Sequence, residues 1–197
     1  MAENPARIQE IACQQVLRGD SSVFSAQWLT LHPRHAGAVA PERLLERYLA
    51  HVRRVTCSLV RPARSAEGID FRLLATRLNL LSFGTPGVAH EGMTSSVTLR
   101  ISGGCLVQPR ECGRGELSFI AEPHGEGIKV EVRIAGYCPL LLGSRRPSRG
   151  RKLLYRLTQA LLHKVVTVGF LVRLYREREG RARRVRVVRV GGDGENI

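Results

Sequence analysis

The sequence predicts an α+β fold: a curved antiparallel β-sheet packed on a long C-terminal helix, with short N-terminal helices. Three observations predict it. Short helical patterns occupy parts of the first fifty-odd residues; from Val55 the apolar period then shortens to 2 and holds for about eighty residues. Finally Leu154, Leu157, Leu161, Val165, Val168, Val172 and Tyr175 alternate spacings of three and four, an apolar stripe about six turns long.

Taken in order, Asn4-Pro5 reads as a helix N-cap with proline at the first helical position. Ile8, Ile11, Ala12 and Val16 continue at helical spacing until Arg18-Gly19. Val23–Leu31 is rich in β-formers and ends at His32-Pro33, so a strand is expected there, followed by a loop through Gly37. Pro41 and Glu42 open a second helix whose apolar stripe is Leu44, Leu45, Tyr48, Leu49 and Val52. The expected strands of the meander are residues 55–60, 69–83, 96–107, 115–122 and 127–137. The clearest is the last, where Ile128, Val130, Val132 and Ile134 alternate with Lys129, Glu131 and Arg133. A parity switch at Leu73-Leu74 and the Gly103-Gly104 pair read as bulges that bend the sheet. Ser148 is the expected N-cap of the long helix. Residues 1–179 are expected to form one domain, with 180–197 a basic edge strand or a tail whose Gly-rich end is disordered.

At 197 residues and 43% hydrophobic content the chain can bury a sizeable core. Its net charge of +14 is uneven: residues 145–197 carry 15 Lys and Arg against 4 Asp and Glu, leaving only +3 for the rest. That field favours polyanions, whether nucleic acid or anionic lipid, unless it is simply a solvated face. The N-terminal residues carry no basic segment followed by an apolar run, and each apolar stretch is interrupted by charge before about 20 residues. A soluble bacterial cytoplasmic protein is therefore expected, with docking at the inner membrane face as an option. The five cysteines, Cys13, Cys57, Cys105, Cys112 and Cys138, have no CxxC spacing and read as small buried apolar residues; a Cys105–Cys112 pairing across a hairpin is the less favoured reading.

No catalytic or metal motif is present, and the reading leans away from an enzyme. His32 and His35 are separated by a proline and lack acidic or thiol neighbours at ligand spacing, so neither a metal nor another cofactor is expected. Asp70, Glu91, Glu116 and Glu131 are scattered carboxylates that no spacing pairs. Arg181, Arg183, Arg184, Arg186 and Arg189 are the candidate anion-binding residues. No aromatic residue interleaves with them, which leaves stacking on single-stranded bases unsignalled. Ser102-Gly-Gly104 resembles the glycine-rich stretch of cyclic-dinucleotide-binding PilZ barrels, but the acidic residue before the serine and the upstream arginine pair are lacking.

The stretch GIKVEVRIAGYCPLLLG, a short basic loop, and RKLLYRLTQALLHKVVTVGFLVRLYRE resemble the last strand and closing helix of the helix-grip fold, the START/polyketide-cyclase-like (SRPBCC) superfamily. The resemblance lies in element order and carries no diagnostic motif. It departs from the family in placing one short helix before the first strand and only one after it, and in the arginine-rich C-terminus. It implies a bent sheet around the helix and an apolar cavity between them. The lining it implies is Phe71, Leu99, Ile101, Phe119, Val130, Val132, Leu157 and Leu161, with Tyr155 and His163 as polar contacts; ordinary core packing yields the same alternation. The expected function is binding of a hydrophobic or amphiphilic small molecule, lipid-like or quinone-like, with the basic C-terminal region docking the protein on an anionic membrane surface. The alternatives are a nucleic-acid-associated protein with a globular scaffold and a cyclase- or hydratase-type enzyme.

Overall fold

The structure is a computed structural model that describes residues 8–34, 39–109, 115–143, 147–180 and 184–197. Eleven strands join one sheet: β1 (Gln9–Leu17), β2 (Val23–Leu31), β3 (Val60–Ser65), β4 (Gly68–Leu73), β5 (Asn79–Phe83), β6 (Gly87–Glu91), β7 (Thr94–Gly103), β8 (Glu116–His124), β9 (Gly127–Tyr137), β10 (Val185–Arg189) and β11 (Glu195–Asn196). Their spatial order is β10-β1-β2-β9-β8-β7-β5-β4-β3, with β6 paired to β7 and β11 to β1. Helix α1 spans Pro41–Val55. The C-terminal helix spans Arg149–Glu179 as α2 (Arg149–Tyr155), a π-helical turn (Arg156–Ala160) and α3 (Leu161–Glu179).

All pairings are antiparallel except β1 with β10. Period-2 alternation sets which face meets the helices. On β9, Val130, Val132 and Ile134 are buried beneath them, while on the outer face Glu131 lies between Lys129 (2.8 Å) and Arg133 (2.6 Å). Lys129 also stands over the Trp28 ring at 5.3 Å, so the outer face is closed by paired charge rather than by a second layer. Register shifts between β2 and β9, β4 and β5, and β5 and β7 mark the irregularities where the sheet bends.

The core lies between the concave face and the helices. Tyr48 of α1 packs edge-on against Phe119 of β8 (5.2 Å between centroids) and Phe170 of α3 (5.3 Å), joining three elements through one ring. Helix α1 begins with proline in its first turn and ends at Thr56, whose Oγ1 donates to the Val52 carbonyl (2.8 Å) and accepts from the Val60 amide (3.1 Å).

Four sequence expectations are corrected. The N-terminal helix is strand β1: Ile11, Cys13, Gln15 and Leu17 alternate inward, and β2 and β10 flank it on both sides, a long-range pairing that helical spacing over four residues cannot outweigh. Residues 55–59 are no strand, and only Val60 of the expected segment lies in one, at the start of β3; Cys57 (φ 50°) and Ser58 (φ 62°) turn the chain between α1 and β3. The segment 69–83 is a hairpin; its parity switch at Leu73-Leu74 falls in the turn, where Leu74 takes φ 53°, and the register shift lies just before it, between Phe71 and Arg72. Gly103 does coincide with a register shift, and Gly104 (φ +116°) lies where an added Cβ would sit 2.5 Å from the Leu80 carbonyl oxygen. β6 falls where only a loop was expected. The C-terminal segment forms strands β10 and β11 on the sheet edge.

Candidate functional site

The long helix starts at Ser148, whose Oγ accepts from the Arg151 amide (3.4 Å). Its core side is Tyr155, Ala160, Val166, Phe170, Leu171 and Leu174, with Thr167 buried among them. The expected stripe is therefore not the core side. Leu157 (63% exposed) and Leu161 (50% exposed) project away from the sheet, together with Leu154 and Val165; further along, Val168 and Val172 pack partly buried against the core and Tyr175 is buried in it. The helix is apolar nearly all round, so spacing alone could not choose its inward face. Its length and composition would also suffice to cross a bilayer, contrary to the reading of interrupted apolar runs, yet Val166, Phe170, Leu171 and Leu174 are packed into the core.

Between the sheet and the π-helical turn lies a cavity of about 130 Å³. Its walls are mostly apolar: Val52 from α1, Phe71 from β4, Leu81 from β5, Ile134 from β9, Leu162 and Val166 from α3. Into it face Ser25, Tyr48, Tyr137, Tyr155, Gln159 and His163. The polar tips of this group differ in how they are satisfied. Tyr137 donates to the Leu106 carbonyl (2.9 Å), Tyr48 meets Thr167 Oγ1 at 3.4 Å, and Ser25 Oγ accepts from Gln15 (3.2 Å) and Gln27 (2.8 Å). The Tyr155 hydroxyl has no partner among the described residues. Gln159 Nε2 and Oε1 and His163 Nε2 are enclosed and also without one. Gln159 comes close enough to Tyr137 to favour its ionised form but makes no hydrogen bond of good geometry with it.

Burial controls the electrostatics. The His163 residue is only partly covered, but its ring is enclosed, and desolvation pulls its pKa down to about 4, so the imidazole is neutral near pH 7. Desolvation pushes Tyr48 up to about 12 and raises Tyr137 and Tyr155 further still. Among the described residues no carboxylate or cation lines the cavity.

Of the residues assigned to the site from sequence, Phe71, Tyr155 and His163 line this cavity. Leu99, Ile101, Phe119, Val130 and Val132 are buried in the core beside it. Leu157 and Leu161 lie on the far side of the helix. Gln159 and Ser25 were missed; nothing in the local sequence distinguishes a glutamine brought inward by a π turn from one on a solvated face.

The arginines are dispersed. Arg181 and Arg183 lie outside the described residues. On β10, Arg186 sits beside Glu10 on the outer side of β1, and Arg189 beside Cys13 on the helix side. Arg189, Arg156 and Lys164 line a separate cavity of about 150 Å³ at the sheet edge, and Arg184 is exposed next to β10. Among the described residues no three His, Cys, Asp or Glu side chains converge. Cys13 is buried and free, but Cys57 is exposed, Cys105 is a free thiol and Cys138 is disulfide-bonded, so the cysteines are not uniformly small core residues.

A bent sheet grips the long C-terminal helix as expected, although strand β1 stands where the first helix was expected. The fold is helix-grip-like. No family model matches the chain, and no curated protein matches it. Among solved structures it is similar to the crystal structure of CalU16 from Micromonospora echinospora, at 13% identity over 87% of this chain and 94% of that one, with a TM-score of 0.33. The solution structure of the same protein aligns at 14% identity over 69% and 64%, with a TM-score of 0.26. Likeness at this level carries no functional argument, which must come from the cavity.

Proposed function

We propose that the protein binds a small hydrophobic or amphiphilic molecule, with a quinone-like or lipid-like body and a neutral polar group, in the cavity beneath the π-helical turn. The observation that carries this reading is the pair Gln159 and His163, whose polar atoms face an apolar cavity without partners. A bound carbonyl or hydroxyl would satisfy them. A cavity of this volume is close to the ~150 Å³ that holds a benzene ring, so it suits one ring-sized group with any longer chain running out through the opening. A carboxylate is disfavoured, since among the described residues no cation lines the walls to offset its desolvation.

Binding is favoured over acid–base catalysis by the same chemistry. An imidazole whose conjugate acid forms only near pH 4 is a weak proton acceptor at neutrality, and the neighbouring tyrosines hold their protons. Nucleic-acid binding has less support, because the described arginines are split between two faces of an edge strand. The test is titration with menadione as a neutral quinone probe and with decanoate as an anionic one. Saturable binding of menadione that weakens about tenfold in Gln159→Leu would support the proposal. Preference for decanoate, or menadione binding indifferent to Gln159 and His163 substitution, would sink it.

A further inference from the structure

The outward side of the long helix is an unusual surface. Leu153, Leu154, Leu157, Leu161, Leu162 and Val165 are each 49% to 63% exposed, over about three and a half turns, Leu162 also bordering the cavity. An α-helix of constant pitch would carry Leu162 well away from Leu153. The π turn at Arg156–Ala160 inserts one residue's worth of rotation between them and narrows the group toward one face. Arg149, Lys152 and Arg156, spaced by three and four, run along one side of that face. Lys164 continues the line, since it shares a cavity with Arg156. No acidic residue occurs in the sequence between Glu131 and Glu177, and among the described residues Lys152 alone of these four is paired, with Glu195 at 2.5 Å.

We infer that this face docks on a bilayer containing anionic phospholipid, with the six apolar side chains at the headgroup–acyl boundary and the cations reaching headgroup phosphates. Charge complementarity selects the occupant. A second copy of the chain would bring two net cationic rows together, whereas an anionic bilayer offers apolar depth and negative charge in the layered order that this face presents. The helix lies on the membrane rather than across it, because Phe170, Leu171 and Leu174 are committed to the core. The docking element is thus the helix, not the arginine-bearing strand β10 at the sheet edge. This inference rests on exposure and charge and does not require that the cavity hold a ligand.

The experiment is vesicle flotation of the full chain with phosphatidylcholine alone and with about 30% phosphatidylglycerol, at physiological salt. The wild type should float with the mixed vesicles and bind pure phosphatidylcholine at least about tenfold more weakly. L157E/L161E should lower binding by about tenfold or more, and R149Q/R156Q/K164Q should remove the preference for anionic lipid. R184Q/R186Q, near the sheet edge, should change binding less than about twofold. Circular dichroism and menadione titration of each variant separate a docking defect from misfolding or a lost cavity. The inference is overturned if the wild type stays in the heavy fraction, if L157E/L161E float unchanged, or if those substitutions instead convert a dimer to a monomer in analytical ultracentrifugation.

Discussion

Gln15, on the inner side of β1, donates from Nε2 to the carbonyl of Ala160 at 3.3 Å, across 145 positions of sequence. Ala160 closes the π-helical turn, where helical hydrogen bonding is irregular and a carbonyl can take an outside donor. The same Nε2 lies 3.2 Å from Ser25 Oγ, so one buried amide ties the sheet to the turn that roofs the cavity.

Gln15→Leu should therefore lower stability by about 1–3 kcal/mol, the range expected when a buried donor is removed and its acceptors are left behind. Urea unfolding measures this. A change below a few tenths would show that the contact does not fix the turn.

Gln159→Leu should act in the opposite direction. Both amide atoms of Gln159 are enclosed without partners, so replacing the side chain by an apolar one of similar size removes a desolvation penalty and should raise stability by about 1 kcal/mol. Thermal melts provide the readout, and a loss of stability would mean that the amide has a partner in solution.

The two sides of the helix should respond differently to truncation. Leu171→Ala, at a fully buried position, should cost about 2–5 kcal/mol. Leu157→Ala, at a position 63% exposed, should change stability by no more than about 0.5 kcal/mol. Equal losses would show that the helix is rotated from the orientation described.

Stability should fall in acid through His163. Its folded pKa of about 4 lies below its ordinary 6.5, so below pH 6.5 the unfolded chain takes up a proton that the folded protein resists. The contribution is absent above pH 6.5, destabilises progressively as pH falls, and levels off below about pH 4. Between pH 7 and pH 5 it amounts to roughly 2 kcal/mol. His51, also depressed by burial and packed against Phe170, adds to it in the same direction. His163→Phe should flatten the acid limb of stability against pH; an unchanged limb would place the imidazole in contact with water.

Local pattern determined much of this protein by itself. Strand β9 runs from Gly127 to Tyr137 and β2 from Val23 to Leu31, as alternation and turn residues indicate, and α1 starts at Pro41. Ser148 caps the long helix because its signal, a hydroxyl beside free amides, is local chemistry. Tertiary structure decided the rest. β1 is a strand because β2 and β10 are available to pair with it, information absent from the spacing of Ile8, Ile11, Ala12 and Val16. The inward face of the C-terminal helix was settled by burial of Phe170 and Leu174, with Phe170 edge-on to Tyr48 and His51 of α1, since a helix apolar on opposite sides presents two equivalent stripes to any periodicity argument. The cavity depends on both decisions. Gln159 and His163 become site residues only because a π turn, invisible in the sequence, brings their side chains beneath the roof while Leu157 and Leu161 face out.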